Sequence, residues 1–219
     1  MTQAWFVTGT DTEIGKTFVC CALLHAARAR SLTAVGMKPV AAGVDGSGAN
    51  EDVEALAAAS SLPLAREAIN PYLFRPPIAP HIAAAEAGVV IEGKVIRHGY
   101  EKLASAAEVV IVEGVGGFRV PLGPGFDAAD LAVELALPVI LVVGMRLGCI
   151  NHALLTAEAI ERRGLRLAGW VANQIQADMP RFEENIAALS ERINAPLLGR
   201  VPYLPSKDAA QAASCLSLP

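Results

Sequence analysis

The amino-acid sequence predicts an α/β fold, a mostly parallel central sheet of about six or seven strands flanked by helices, carried by a single domain over residues 1–219. Two observations predict it. Short apolar runs alternate with helix-length amphipathic segments along the chain, which is the pattern of repeated strand–helix–strand units. The runs are continuously apolar rather than alternating, as strands buried on both faces require.

Residues 5–8 read as the first strand, and 16–30 as the helix that follows it. Residues 34–40 form a second strand and 51–59 a second helix. Residues 89–107 are mostly helical in pattern, interrupted by Gly93 and Gly99. Residues 109–113, 139–143, 167–172 and 197–201 are strands with few charges, and 128–135, 152–163 and 181–193 are helices. Residues 41–50 are rich in Gly and Ala and read as a loop. Residues 69–80 hold Pro71, Pro76, Pro77 and Pro80 and are read as irregular, since proline has no amide hydrogen to donate. No internal repeat or low-complexity tract is present.

Composition narrows the function classes. Hydrophobic residues make up 53% and charged residues 18%, enough apolar material for a buried core and too much for extended disorder. A net charge of −4 with no basic run points away from nucleic acid and from anionic membrane surfaces as partners. The mean hydropathy of +0.41 raises the membrane question. The apolar runs 109–112 and 135–143 fall well short of the about 20 residues that a spanning helix needs. The first residues carry no charged leader segment, so a cytoplasmic protein is expected. Cys20, Cys21, Cys149 and Cys215 fit neither a zinc spacing nor a disulfide framework and read as reduced thiols.

One segment carries the chemistry. Val7-Thr8-Gly9-Thr10-Asp11-Thr12-Glu13-Ile14-Gly15-Lys16-Thr17 follows a strand and opens a helix, the context of a phosphate-binding P-loop. Free N–H groups at a helix start, with the helix dipole behind them, favour an anion. Gly15 lets the backbone approach the phosphates, Lys16 neutralises the β and γ oxygens, and the Thr17 hydroxyl is a ligand for Mg²⁺. The usual first glycine is displaced: Thr10 holds its place and Gly9 lies one residue earlier.

The wording around this loop, Phe6-Val7-Thr8-Gly9-Thr10-Asp11-Thr12-Glu13-Ile14-Gly15-Lys16-Thr17, closely resembles the opening of dethiobiotin synthetases. Further segments resemble the same family in the same order. They are Met37-Lys38-Pro39-Val40-Ala41, Asn70-Pro71-Tyr72, Ala79-Pro80-His81 and Val112-Glu113-Gly114-Val115-Gly116-Gly117. After them come Val142-Val143-Gly144-Met145-Arg146-Leu147-Gly148-Cys149-Ile150-Asn151-His152 and Gly169-Trp170-Val171-Ala172-Asn173. The resemblance implies an ATP- and Mg²⁺-dependent ligase of biotin synthesis. Its substrates are 7,8-diaminononanoate and CO₂ or bicarbonate. CO₂ forms a carbamate on one amine, ATP phosphorylates the carbamate, and the second amine closes the ureido ring of dethiobiotin.

Lys38 stands at the C-terminal end of its strand, the edge that faces the site in a parallel sheet. By resemblance it stabilises the carbamate and the transferring phosphoryl group. Asp52 and Glu113 are the carboxylates expected to join Thr17 around Mg²⁺, which prefers hard oxygen donors. The plainer reading of Asp52 is a charge interacting with a helix N-terminus. Resemblance places Thr12 near the carbamate and Glu13, with Ile14 and Phe18, near the nucleotide. It sets Gly114, Val115 and Gly116 along phosphates or amines, and Asn173 at the adenine edge, with Gln174, Pro202, Tyr203 and Leu204 about the base. Ala42 and Pro80 are expected beside the substrate. Gly148, Cys149, Ile150 and Asn151 are expected to take its carboxylate tail across a homodimer interface. Asn151 is also a natural helix N-cap. Cys149 reads as a small buried residue, and His81 and His152 as local hydrogen-bonding groups.

Two departures from the family stand out. Ala42 replaces a commonly hydroxylated residue, and Gln174 stands where an acidic residue is frequent, which loosens base selectivity. The alternative class is a partition- or positioning-type P-loop ATPase switch. Those proteins carry a lysine early in the loop, and Gly9-Thr10-Asp11-Thr12-Glu13 has none. Amidoligases of the cobyrinic-acid type need a further glutamine-hydrolysing domain. A silent nucleotide-binding module is at odds with the presence of Lys16, Thr17, Lys38 and Glu113.

Overall fold

The computed structural model describes residues 2–219. In chain order the elements are β1 (Gln3–Gly9), α1 (Lys16–Ala29), β2 (Ala34–Met37), β3 (Val40–Ala42), α2 (Glu51–Ala59), α3 (Arg66–Ile69), β4 (Tyr72–Phe74), α4 (Pro80–Glu86) and α5 (Gly93–Ala106). They continue with β5 (Val109–Glu113), β6 (Pro121–Gly123), β7 (Phe126–Asp127), α6 (Ala128–Leu135), β8 (Val139–Met145), α7 (Cys149–Arg162), β9 (Leu167–Gln174), α8 (Phe182–Ser190), β10 (Leu197–Val201) and α9 (Ala209–Ala213). The main sheet has six strands in the order β10-β9-β8-β1-β5-β2, and every neighbouring pair is parallel.

The alternation of side chains along these buried strands builds two cores. Trp5, Val7, Ile111, Ile140 and Val142 point to one face, where α1, α2 and α9 supply Leu23, Leu24, Leu56 and Ala212. Phe6, Val110, Val112, Leu141 and Val143 point to the other, against Ile96 and Leu103 of α5, Leu131 of α6, Ile160 of α7 and Ile186 of α8. Both faces are covered, which is why the strand runs carry no polar alternation. Because the six strands run the same way, their C-terminal ends share one edge. That edge receives the segments after Gly9, Met37, Glu113, Met145, Gln174 and Val201. No helix among the described residues is long and apolar enough to cross a membrane.

The structure revises several sequence expectations. The strand expected over 34–40 breaks at Lys38-Pro39, because Pro39 has no N–H for the ladder. Its second half is β3, which pairs with β4 in a separate parallel ribbon, Val40↔Tyr72 through Ala42↔Phe74. Residues 69–80 are therefore not wholly irregular: the three residues after Pro71 form β4, and Pro80 starts α4, where its missing N–H costs nothing. The helix expected over 89–107 begins only at Gly93. The helix expected over 152–163 begins at Cys149. Gly148, at φ 92°, takes the N-cap place, so Asn151 lies inside the first turn and is not the cap. The β6–β7 hairpin and α9, too short to leave a periodic signal, were not anticipated.

Candidate active site

The loop between β1 and α1 is shaped by contacts on both sides. A Cβ on Gly9 would lie 2.8 Å from Ile14 Cδ1 and 3.0 Å from Lys16 Cδ, so glycine here lets the lysine stem fold back over the strand end. The Lys16 ammonium then donates to the Asp11 carbonyl at 2.9 Å. This is the physical reason for the displaced glycine. Thr10, in the usual glycine place, instead donates its N–H to Val142 O at 3.0 Å and accepts from the Gly144 N–H on Oγ1 at 3.3 Å. Gly15 has φ 80° and caps α1 with no side-chain hydrogen bond, which leaves the helix start open to an anion. By contrast, α2 and α6 are capped by Asn50 and Asp127. Asn173, buried at the end of β9, donates through Nδ2 to Ile14 O at 2.7 Å, and a side chain at Gly15 would strike that amide.

Beneath the loop lies an ionic cluster. Lys38 Nζ donates to Glu113 Oε1 at 2.5 Å and to Asp52 Oδ2 at 3.0 Å, and Thr17 Oγ1 donates to the same Glu113 oxygen at 2.8 Å. The Lys38 and Glu113 side chains are 5% and 0% exposed, while Asp52 is 44% exposed, so the pair is internal and opens to solvent on the Asp52 side. Burial disfavours the charged lysine, but Glu113 and Asp52 outweigh it and hold Lys38 above its ordinary value. Burial pushes the Glu113 carboxyl up, opposed by Lys38. Burial, then the neighbouring Lys38 charge, lowers Lys16. Burial acts against Asp52 ionisation too, yet Lys38 keeps its carboxyl below the usual range. Glu113 Oε2 is buried and has no hydrogen-bond partner among the described residues. Such an orphan oxygen calls for a ligand. Two carboxylates and a hydroxyl are the donor chemistry of a Mg²⁺ site that keeps its waters. No group of three or more His, Cys, Asp or Glu residues set to hold a metal occurs among the described residues, so nucleotide and water oxygens would complete such a shell.

Most of the other expected residues lie in the segments that leave the same sheet edge, while Ala42 and Pro80 lie apart in the β3–β4 ribbon and at the start of α4. Thr12 and Glu13 are exposed on the loop, Glu13 in the left-handed region at φ 58°. Ile14 is buried and Phe18 partly buried behind it. Gly114 donates to Val7 O at 2.9 Å, Val115 and Gly116 follow, and a Cβ on Gly116 would sit 3.4 Å from Thr12 Oγ1. Gln174 spends its amide on Ala177 O at 3.1 Å. Pro202 and Tyr203 are exposed and Leu204 partly buried after β10. Ala42 closes β3 and Pro80 opens α4. At the start of α7, Cys149 is buried, Ile150 partly buried, and Gly148 and Asn151 exposed.

Three residues were given no role from sequence. Asn70 Nδ2 donates to Lys38 O at 2.5 Å and to Tyr72 O at 3.1 Å, while Lys38 N donates to Ile69 O at 2.8 Å, so this segment fixes the Lys38 backbone on both sides. Asp11 and Arg146 form an ion pair between the phosphate loop and the end of β8. Both lie in motif segments, but nothing in a one-dimensional pattern pairs positions so far apart.

A family model described as an AAA domain matches residues 3–211. The ATP-dependent dethiobiotin synthetase BioD of Aromatoleum aromaticum is 62% identical over 99% of this chain and 98% of its own length. That of Nitrosospira multiformis is 55% identical over 100% and 96%. Among solved structures, the septum site-determining protein MinD of Pyrococcus horikoshii, complexed with Mg-ADP, superposes with a TM-score of 0.59 at 15% identity, covering 97% of this chain and 86% of that one. A ParA family ATPase from Chlorobium tepidum gives 0.58 at 14% identity, with 97% and 89% covered. These two share the fold and, at such identity, speak to nothing further. At 62% and 55% identity over essentially full length, the chain belongs to the family of ATP-dependent dethiobiotin synthetases.

Proposed function

We propose that the protein closes the ureido ring of dethiobiotin from 7,8-diaminononanoate, CO₂ and ATP, releasing ADP and phosphate. The observation that carries the residue roles is the cluster under the open start of α1: Thr17 and Lys38 both bond Glu113, and the buried Lys16 lies within reach of the Lys38 and Glu113 charges while it holds the Asp11 carbonyl. Backbone N–H groups at the start of α1 and the Lys16 ammonium hold the triphosphate. Thr17, Asp52 and Glu113 hold Mg²⁺, which supplies charge neutralisation to the phosphates when bound. The buried Glu113 oxygen that has no hydrogen-bond partner among the described residues supports this donor set.

The carbamate oxygen of the substrate attacks the γ-phosphorus as the bond to ADP breaks. The second amine then attacks the carbonyl carbon of the mixed anhydride, loses a proton, and expels phosphate. Lys38 stabilises negative charge on the carbamate and on the transferring group, and Thr12 orients the carbamate. Positioning and charge neutralisation are the main sources of rate in such transfers. Asn173, Gln174, Pro202, Tyr203 and Leu204 form the base pocket. Asn173 Nδ2 is engaged with Ile14 in this structure, so base reading by this residue is coupled to the shape of the loop.

The substrate tail lies at residues 148–151 and is completed by a second copy of the chain in the cytoplasm. In support, Leu147 is 99% exposed and Leu155, farther along α7, is 58% exposed, apolar surface that a partner would cover. The test mixes purified protein with diaminononanoate, bicarbonate and MgATP, each omitted in turn, with sedimentation of the same sample. ADP release that needs both the diamine and bicarbonate, from a dimer, supports the proposal. ADP release indifferent to the diamine refutes it and returns the ATPase-switch reading.

A further inference from the structure

The phosphate loop is fastened to the end of β8 at several points that the reaction above does not use. Thr10 N–H donates to Val142 O, and the Gly144 N–H donates to Thr10 Oγ1. Ile14 packs on Gly144 so closely that a Cβ there would lie 2.5 Å from Ile14 Cγ2. The fourth fastening is ionic: Arg146 Nη2 meets Asp11 Oδ2 at 2.5 Å. Asp11 is a node. Its other carboxylate oxygen accepts the Thr12 N–H at 2.8 Å, and its carbonyl accepts the Lys16 ammonium at 2.9 Å. Arg146 in turn accepts, through its carbonyl, the N–H of Cys149 at the start of α7 at 3.0 Å.

We propose that Asp11 and Arg146 are positioning residues: their ion pair sets the loop against the exit of β8 and thereby aims Lys16 and Thr12. The proposal rests on the reaction assigned above. The pair's side chains are 45% and 39% exposed, so the bond contributes little to folding stability. Its geometric effect is larger, because one carboxylate fixes the residue from which both Lys16 and Thr12 are held. Through Arg146 the same pair joins the nucleotide loop to the start of α7, where the substrate tail is assigned. A small displacement of groups that position a reaction slows it far more than the strength of the ion pair alone would suggest.

The test is a double-mutant cycle with Asp11→Asn, Arg146→Gln, their combination, and Arg146→Lys. Its readouts are kcat, Kd for ADP measured without catalysis, and Tm. The expected result is a fall in kcat of about tenfold and a several-fold weaker ADP affinity in each single variant, with the double variant no worse than either, since coupled residues are non-additive. Arg146→Lys keeps most of the rate, and Tm stays at the wild-type value. Additive losses overturn the proposal, and so does a normal Asp11→Asn beside an impaired Arg146→Gln, which would mean that Arg146 touches a ligand directly. Losses that track a lowered Tm overturn it as well. Should the wild type fail to turn over the diamine, the assigned reaction fails, and ADP affinities around the same cycle decide the pair's role.

Discussion

Replacing Lys38 with methionine keeps most of the stem and removes the charge, which isolates the electrostatic role of the buried ammonium. Glu113, with no exposed side-chain surface, would keep only the Thr17 hydroxyl as a hydrogen-bond partner. Asp52, 44% exposed, would lose little, because water reaches it. Removing one partner of a buried ion pair costs about 3–5 kcal/mol. At roughly 2–4 °C per kcal/mol for a chain of this size, Tm at about pH 8 should fall by roughly 6–20 °C.

The loss has a defined pH dependence. Burial already raises the Glu113 carboxyl above its ordinary 4.5, and without Lys38 it rises further. The folded state then keeps a proton that the unfolded chain releases, so stability falls as pH climbs from 4.5 through the raised folded value. Thermal melts of Lys38→Met at about pH 5 and about pH 8 should therefore differ in their loss against wild type, with the smaller loss in acid. Adding Glu113→Gln should recover most of the Tm at the higher pH. A variant as stable as wild type at both pH values, or a double variant no better than the single, refutes the reasoning.

Gly144→Ala drives a Cβ into Ile14 at 2.5–2.6 Å and should displace the loop, lowering nucleotide affinity at least about tenfold in a direct titration while the sheet stays folded. Lys16, held below its ordinary 10.5 by burial and then by the Lys38 charge, should take up a proton when a triphosphate binds at alkaline pH. Calorimetry in two buffers of different ionisation heat reads that uptake, and identical heats contradict it. Under native conditions a thiol reagent should label Cys215, the one partly exposed cysteine, and leave Cys20, Cys21 and Cys149 unmodified; burial pushes Cys21 up to about 12, which keeps it protonated.

The parallel sheet was legible because burial on both faces writes continuous apolar runs, clearest in β5 and β8; β10, at the sheet edge, is broken by the exposed Arg200. The phosphate loop was legible because its chemistry is local: glycine, lysine and threonine lie within a few residues at a strand–helix junction. Glu113 stood out as a charge closing such a run. What the sequence hid is what depends on distant pairing. β3 and β4 are three residues each, too short to write a hydrophobic period, and they follow Pro39 and Pro71 directly. Lys38 bridging Glu113 and Asp52 joins three separate segments. Asn70 clamping Lys38, and Arg146 pairing Asp11, are invisible until β4 lies beside β3 and β1 beside β8. The α7 start was misplaced because Asn151 is a good cap by type, whereas Gly148 with a left-handed backbone takes the turn.

Bicarbonate labelled with ¹³C, supplied with diaminononanoate and MgATP, offers the sharpest measurement. Mass spectrometry should find dethiobiotin one mass unit heavier, formed one-for-one with ADP, and no such product after Lys16→Gln. ADP accumulating without labelled ring product, or labelled product formed equally well by Lys16→Gln, would contradict a phosphate loop that activates the carbamate.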